Sequence, residues 1–258
     1  MDVYIPGAAE PCLTDMRSLT GAGYSWENDI LPVLDAVREE AERRVEAVRS
    51  FRAVTEHMDG KISRRFSRTV DADVILYFGL CSGAGWVTPV NGKTAVLLGI
   101  EKIIELGWCG ENDMFGLIAH ELGHVYQDQY GVLRRDTDIL PDRFLWRLFT
   151  EGVAAVFEQE IIGDASYFHQ DKDGWLDWCE AHAGLIKRCF AGDLETMTPG
   201  NQRWFGDWVS FDGHGDTGYW LGARFVRFLL LNDSFDRVIL YDIPAVREGF
   251  ERFIRINL

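Results

Sequence analysis

Residues 114–131 read MFGLIAHELGHVYQDQYG, with His120 and His124 four apart and Glu121 directly after the first. On a helix, residues four apart lie about 40° from each other, so the two imidazoles project to one side and can meet one metal ion. Glu121 points close to that side without being needed as a ligand. It is placed to take a proton from a metal-bound water, which is the mechanical content of an HExxH segment. The plainer alternative sets both histidines at the margin of an apolar face made by Met114, Ile118, Leu122 and Val125, satisfied by their neighbours.

A hydrolytic zinc ion usually takes three protein ligands and keeps one position for water, so the motif demands a third ligand elsewhere. The HExxHxxGxxH arrangement would need glycine at 127 and a ligand at 130; the residues are Gln127 and Tyr130, and that branch fails. Asp128, one turn beyond His124, would line up with the histidines along the helix axis and closes a tetrahedral site poorly. Glu151 is the better candidate. It interrupts the apolar run FLWRLFTEGVAAVFEQE at 144–160, where a carboxylate is costly to bury unless it is paired or ligates a metal. The competing reading pairs it with Arg147, one turn earlier, at a solvated face. Glu158, two turns further along, is either an acceptor that orients a ligand histidine or a plain surface acid.

Positioning these groups requires two helices at matching depth. At 1.5 Å per residue, His124 to Gly131 spans about 10 Å and Pro141 to Glu151 about 15 Å. If residues 131–140 reverse the chain, the helices run antiparallel and Glu151 comes level with the histidines, with Gly152, Ala154 and Ala155 permitting close approach. Ahead of them, 26–57 repeats apolar residues at helical spacing and predicts one long amphipathic helix. Residues 73–79 read as a short strand. Residues 85–99 read as a hairpin around Asn91-Gly92, because a type I′ turn needs positive φ at both central positions. Helices are expected at 112–130, 141–162, 170–190, 217–232 and 243–255, with Gly131 and Gly163 as C-caps, Pro141 in a first turn, and an irregular stretch at 192–216. Strands early and helices late make an α+β pattern. We take residues 1–258 as one domain: an N-terminal segment to 70, a sheet with the HELGH helix over 71–131, and a helical half over 132–258.

HELGH followed by the EGVAAVFE segment resembles the gluzincin-type zinc metallopeptidases, and in particular a bacterial group of predicted zinc-dependent proteases. In that group a short sheet precedes the HELGH helix and a GYxLG helix follows the glutamate, as GYWLGARFV does at 218–226. The resemblance covers about residues 72–232. It implies a zincin-like fold and a Zn2+ ion held by His120, His124 and Glu151. It also implies peptide hydrolysis with Glu121 as general base and Tyr219 as the first choice of catalytic residue to stabilise the oxyanion; His214 is the other polar group on the Gly-rich approach FDGHGDTGYWLG, the alternatives being a tyrosine that covers core and a loop histidine with no role. It further implies that TAVLLG at 94–99 is an edge strand that pairs with an extended peptide; the alternative is a core strand. The chain departs from thermolysin-like members at Ala155, four residues after the glutamate, where those members commonly carry an acid that orients a histidine.

The totals narrow the partners. A net charge of -15 over 258 residues argues against nucleic acid, since phosphate backbones are held by Lys and Arg in excess. No run approaches the roughly 18–20 apolar residues of a membrane span, and MDVYIPGAAEPCLTDM lacks the pattern of a leader, so the expected setting is cytoplasmic. Five cysteines without CxxC spacing suit reduced, mostly buried thiols, which leaves any metal to histidine and carboxylate. His57, His169 and His182 have no matching partner spacing and receive no role. The leading expectation is a zinc metallopeptidase acting on a peptide or protein. The rivals are a metal-containing peptide-binding or regulatory module without turnover, and a metal-free helical interaction protein.

Overall fold

A computed structural model describes residues 7, 9–21, 25–81 and 83–256. The architecture is α+β, mostly helical with one small mixed sheet. The chain divides into two compact units, Met1–Val125 and Tyr126–Leu258, at a boundary inside the HELGH helix.

The first unit begins with α1 (Ala9–Gly21), a π-type turn at Trp26–Ile30, α2 (Leu31–Glu39) and α3 (Ala41–Phe66). The single helix expected over 26–57 is therefore three pieces. Ser25 caps the π-type turn by accepting from Asn28 N–H, and Glu40, at φ -86 and ψ 57, leaves helical geometry between α2 and α3. Strands β1 (Asp73–Tyr77), β2 (Gly85–Val90) and β3 (Lys93–Gly99) follow, then the short α4 (Ile100–Glu105). Asn91 and Gly92 have φ of 51 and 79, the signs a type I′ turn demands.

The strand order is β1-β3-β2, with β1 parallel and β2 antiparallel to β3. This corrects the expectation that 94–99 is an edge strand: β3 is central and paired on both sides. Ala95 through Leu98 are fully buried, as a strand flanked by partners requires. The edges are β1 and β2, each of which pairs with β3 alone among the described residues. One sheet face gathers Ile75, Val90, Ala95 and Leu97 into a core, with Tyr77 and Trp86 packed on it.

Helix α5 (Glu111–Tyr130) carries HELGH and crosses into the second unit, which continues with α6 (Leu140–Ile162), α7 (Trp175–Ala181), α8 (Ala183–Asp193), α9 (Thr217–Leu229), α10 (Phe235–Val238) and α11 (Ile243–Arg255). The helix expected over 170–190 is two, broken at His182, whose ψ of 14 ends one and opens the other. Pro141 sits in the first turn of α6 and Gly163 ends it in the left-handed region, as predicted. Gly131 serves differently. Its φ is not positive, and a Cβ there would lie 2.4 Å from Ile239 O, so it is a point of close approach.

Gly152 also has a partner that spacing did not indicate. It meets α9: a Cβ on Gly152 would come 2.2 Å from Gly222 O, and one on Gly222 would come 2.5 Å from Leu148 O. Two backbones in direct contact fix the crossing of α6 and α9 one residue from Glu151. Gly222→Ala is expected to cost about 1–3 kcal/mol through overpacking, read as a lower midpoint in chemical denaturation; an unchanged midpoint would refute the close crossing.

Candidate metal centre

In the first unit, the apolar face of α5 buries Met114, Ile118, Leu122 and Val125, and the polar motif is nearly as deep. His120 is 3% exposed and Glu121 7%, while His124 is half-buried. The imidazole centroids of His120 and His124 lie 5.1 Å apart with planes at 85°. Glu121 reaches the start of β2, where its carboxylate packs against the Cα of Gly85.

In the second unit, Glu151 lies in the middle of α6 with its side chain 14% exposed and its carboxylate 3.8 Å from Arg147 Nε. The Arg147 guanidinium also sits 4.7 Å above the Phe205 ring. Glu158 is 1% exposed, which corrects the surface-acid alternative. Its Oε1 accepts the backbone N–H of His169 at 3.2 Å and lies 2.9 Å from His169 Nδ1. His169, to which spacing assigned no role, is thus held at two points by one carboxylate and is 3% exposed. A buried imidazole and a buried carboxylate lower each other's cost in an apolar interior.

Asp216 joins this polar set from the start of α9. It stands at the N-cap position with φ 55, yet makes no cap of its own helix; its Oδ1 instead accepts Gly206 N–H at 3.1 Å. Burial pushes its carboxyl up from 3.8 to about 6; Asp207 and Glu151 add to the rise, while the Gly206 bond and His169 oppose it.

The ligands expected from sequence lie in both units: His120 and His124 project from one face of α5 in the first, and Glu151 sits in the middle of α6 in the second. Two imidazoles and one carboxylate are the donor chemistry of a zinc site with an open position. Within the second unit the Glu158–His169 pair is a further imidazole–carboxylate couple.

Neither oxyanion candidate belongs to these groups. The His214 ring stacks on Trp178 at 3.8 Å and 12°, its Nδ1 is 3.0 Å from Asp212 O, and His182 stacks on Trp178 at 4.5 Å. Tyr219 is half-buried in the first turn of α9, its ring edge-on to Phe205 at 5.9 Å. Sequence reasoning missed His169, Asp216 and Gly85. An Asp before Thr-Gly reads as an N-cap, but Asp216 caps nothing and serves Gly206 instead, so that signal points to the wrong role. His169 and Gly85 carry no local signal, because their partners are 11 and 36 positions away.

The raised carboxyl of Asp216 sets a pH signature in chelator-treated protein. Below pH 3.8 the group is protonated in both folded and unfolded chains and costs nothing. Between 3.8 and about 6 the unfolded chain releases the proton first, and above 6 the full cost of burying the charge remains, up to about 3 kcal/mol. Asp216→Asn keeps the acceptor and is expected to raise the unfolding midpoint at pH 7–8 while leaving it unchanged near pH 3.5. Equal effects at both pH values would contradict the assignment.

Set beside family models, curated protein sequences and solved structures, the chain matches none of them, so its likeness to gluzincins rests on the residues of HELGH, EGVAAVFE and GYWLG alone.

Proposed function

We propose that the protein is a zinc-dependent peptidase that hydrolyses peptide bonds, with His120, His124 and Glu151 as metal ligands and Glu121 as general base. The observation that carries this reading is the pair of imidazoles, His120 and His124, on one side of α5 with ring centroids 5.1 Å apart and the nearly buried Glu121 between them in sequence. Zinc bound there supplies a Lewis acid for the scissile carbonyl and acidifies water towards neutrality. Glu121 sits on the same rigid helix as two of the ligands, so its distance from them is fixed by helical geometry. Near-burial strengthens its interactions, and its role is to take a proton from water and return it to the leaving amine.

The sheet supplies a means of holding an extended substrate, with the strand reassigned. Gly99 N–H donates to Ala84 O at 3.1 Å, and the register Gly85↔Leu98 through Val90↔Lys93 then alternates bonded and non-bonded pairs. The peptide groups of Gly85 and Val87 therefore point away from β3, towards the open edge. That edge begins beside Glu121, and a peptide added to it would run past the base. Pro89, the next outward position, has no N–H to offer and limits the pairing to the first half of β2.

A second reading keeps the metal and the edge strand but not turnover. The engagement of His214 with Trp178 and Asp212 favours it, since it withdraws one of the two oxyanion candidates. The two readings separate on one variant series. Purified protein is expected to hold about one zinc per chain, lost in His120→Ala and in Glu151→Ala. Glu121→Gln is expected to keep the zinc while peptide hydrolysis falls by about 10²–10⁴-fold, the usual share of a general base. Metal-loaded wild-type protein that cleaves nothing in a broad peptide library would exclude the peptidase reading, and full activity in Glu121→Gln would exclude its mechanism.

A further inference from the structure

We infer that Gly85 is a positioning residue for Glu121: the absence of a side chain at the first position of β2 holds the Glu121 carboxylate where it stands. The inference rests on the peptidase reading for its consequence in catalysis, and on packing alone for the contact itself. A Cβ built on Gly85 would lie 2.7 Å from Glu121 Oε1, 2.8 Å from Cγ and 2.9 Å from Cδ. All three distances are shorter than real Cβ contacts allow. Because Cγ is among them, a swing of the carboxylate tip does not relieve the overlap; the side chain must leave its rotamer.

Neither backbone can yield instead. On the strand side, Ala84 O is bonded to Gly99 N–H, and Gly99 is itself jammed, with a Cβ there falling 2.4 Å from Gly83 O. The loop before β2 is pinned by Glu101, which is 0% exposed and accepts Cys81 N–H at 2.9 Å, while Leu80 and Cys81 both hold positive φ of 53 and 62. On the helix side, Ala119 and Leu122 flank the motif at 0% and 3% exposure, so α5 has no room to retreat. Gly85 is thus the wall against which the proposed base rests. It is also the first outward-facing peptide of the edge strand, so one residue sets both the position of the carboxylate and the start of the open edge.

The test combines Gly85→Ala with variants at Glu121. A displacement of roughly 1 Å at a reacting group can cost about 10²-fold in rate. Gly85→Ala in the zinc-loaded protein is therefore expected to lower kcat by about 10- to 100-fold, with zinc stoichiometry retained and KM changed less than threefold. In the Glu121→Gln background the same substitution is expected to add little further loss, because the group it displaces no longer acts as base. A stability cycle read without any activity checks the contact itself. Gly85→Ala is expected to lower the unfolding midpoint of metal-free protein when Glu121 is present, and to lower it much less in Glu121→Ala, where the overlapping atoms are gone. Additive midpoints in that cycle, or unchanged kcat in zinc-loaded Gly85→Ala, would overturn the inference. Failure of the peptidase reading shows separately, as wild-type protein without turnover.

Discussion

The cost of holding ionisable groups out of water governs this structure. His120, Glu121, Glu158 and His169 are each less than a tenth exposed, and all four lie on or against helices whose remaining faces are apolar. An unpaired charge in such surroundings is unfavourable by several kcal/mol, so the fold has to supply each group with a partner of opposite character. Glu158 takes both the N–H and the ring of His169, and Glu151 has Arg147 beside it. A divalent cation with two imidazoles and a carboxylate would lower the same cost further, so the polar core and the proposed metal chemistry have one physical origin.

Keeping such groups in register requires rigid supports, and the rigidity comes from backbone contact. The Gly152–Gly222 crossing brings α6 and α9 together without intervening side chains, next to Glu151 and within one element of Asp216. In the first unit the same device appears at Gly85 and Gly99, which bring the end of the sheet against Glu121 and against the preceding loop. Glycine costs conformational entropy in a helix or strand, and it is tolerated here because a Cβ would separate the elements that carry the functional groups.

Much of the helical half was legible. Periodicity placed α5, α6, α9 and α11 within a few residues, since each buries one apolar stripe and ends at a cap or a proline-led start. Glu151 could be singled out because a charged residue inside an apolar helical run is expensive wherever it lies. The breaks at Glu40 and His182 were not legible. Both occur inside continuous amphipathic patterns, at residues whose types do not forbid helix, and only tertiary packing decides them. The Glu158–His169 pair and the Gly85–Glu121 contact join residues from different elements, and no local pattern encodes such a meeting.

The strand order is a different kind of miss, because the sequence carried its sign. A meander of three strands would leave β3 at the rim, and family resemblance pointed the same way. Yet TAVLLG is an unbroken apolar run, the pattern of a strand covered on both faces, whereas GWVTPV places Pro89 inside a hairpin arm, one residue from its turn end. Proline cannot donate to a ladder, so it belongs where its nitrogen faces no partner. With Pro89 and the bonded Ala84–Gly99 pair in alternation, the outward positions of β2 are fixed as 85, 87 and 89, and only an edge strand accommodates that phase. One residue that cannot form a hydrogen bond thus marks β2 as one of the two edges of the sheet, and that edge is the one that starts beside Glu121.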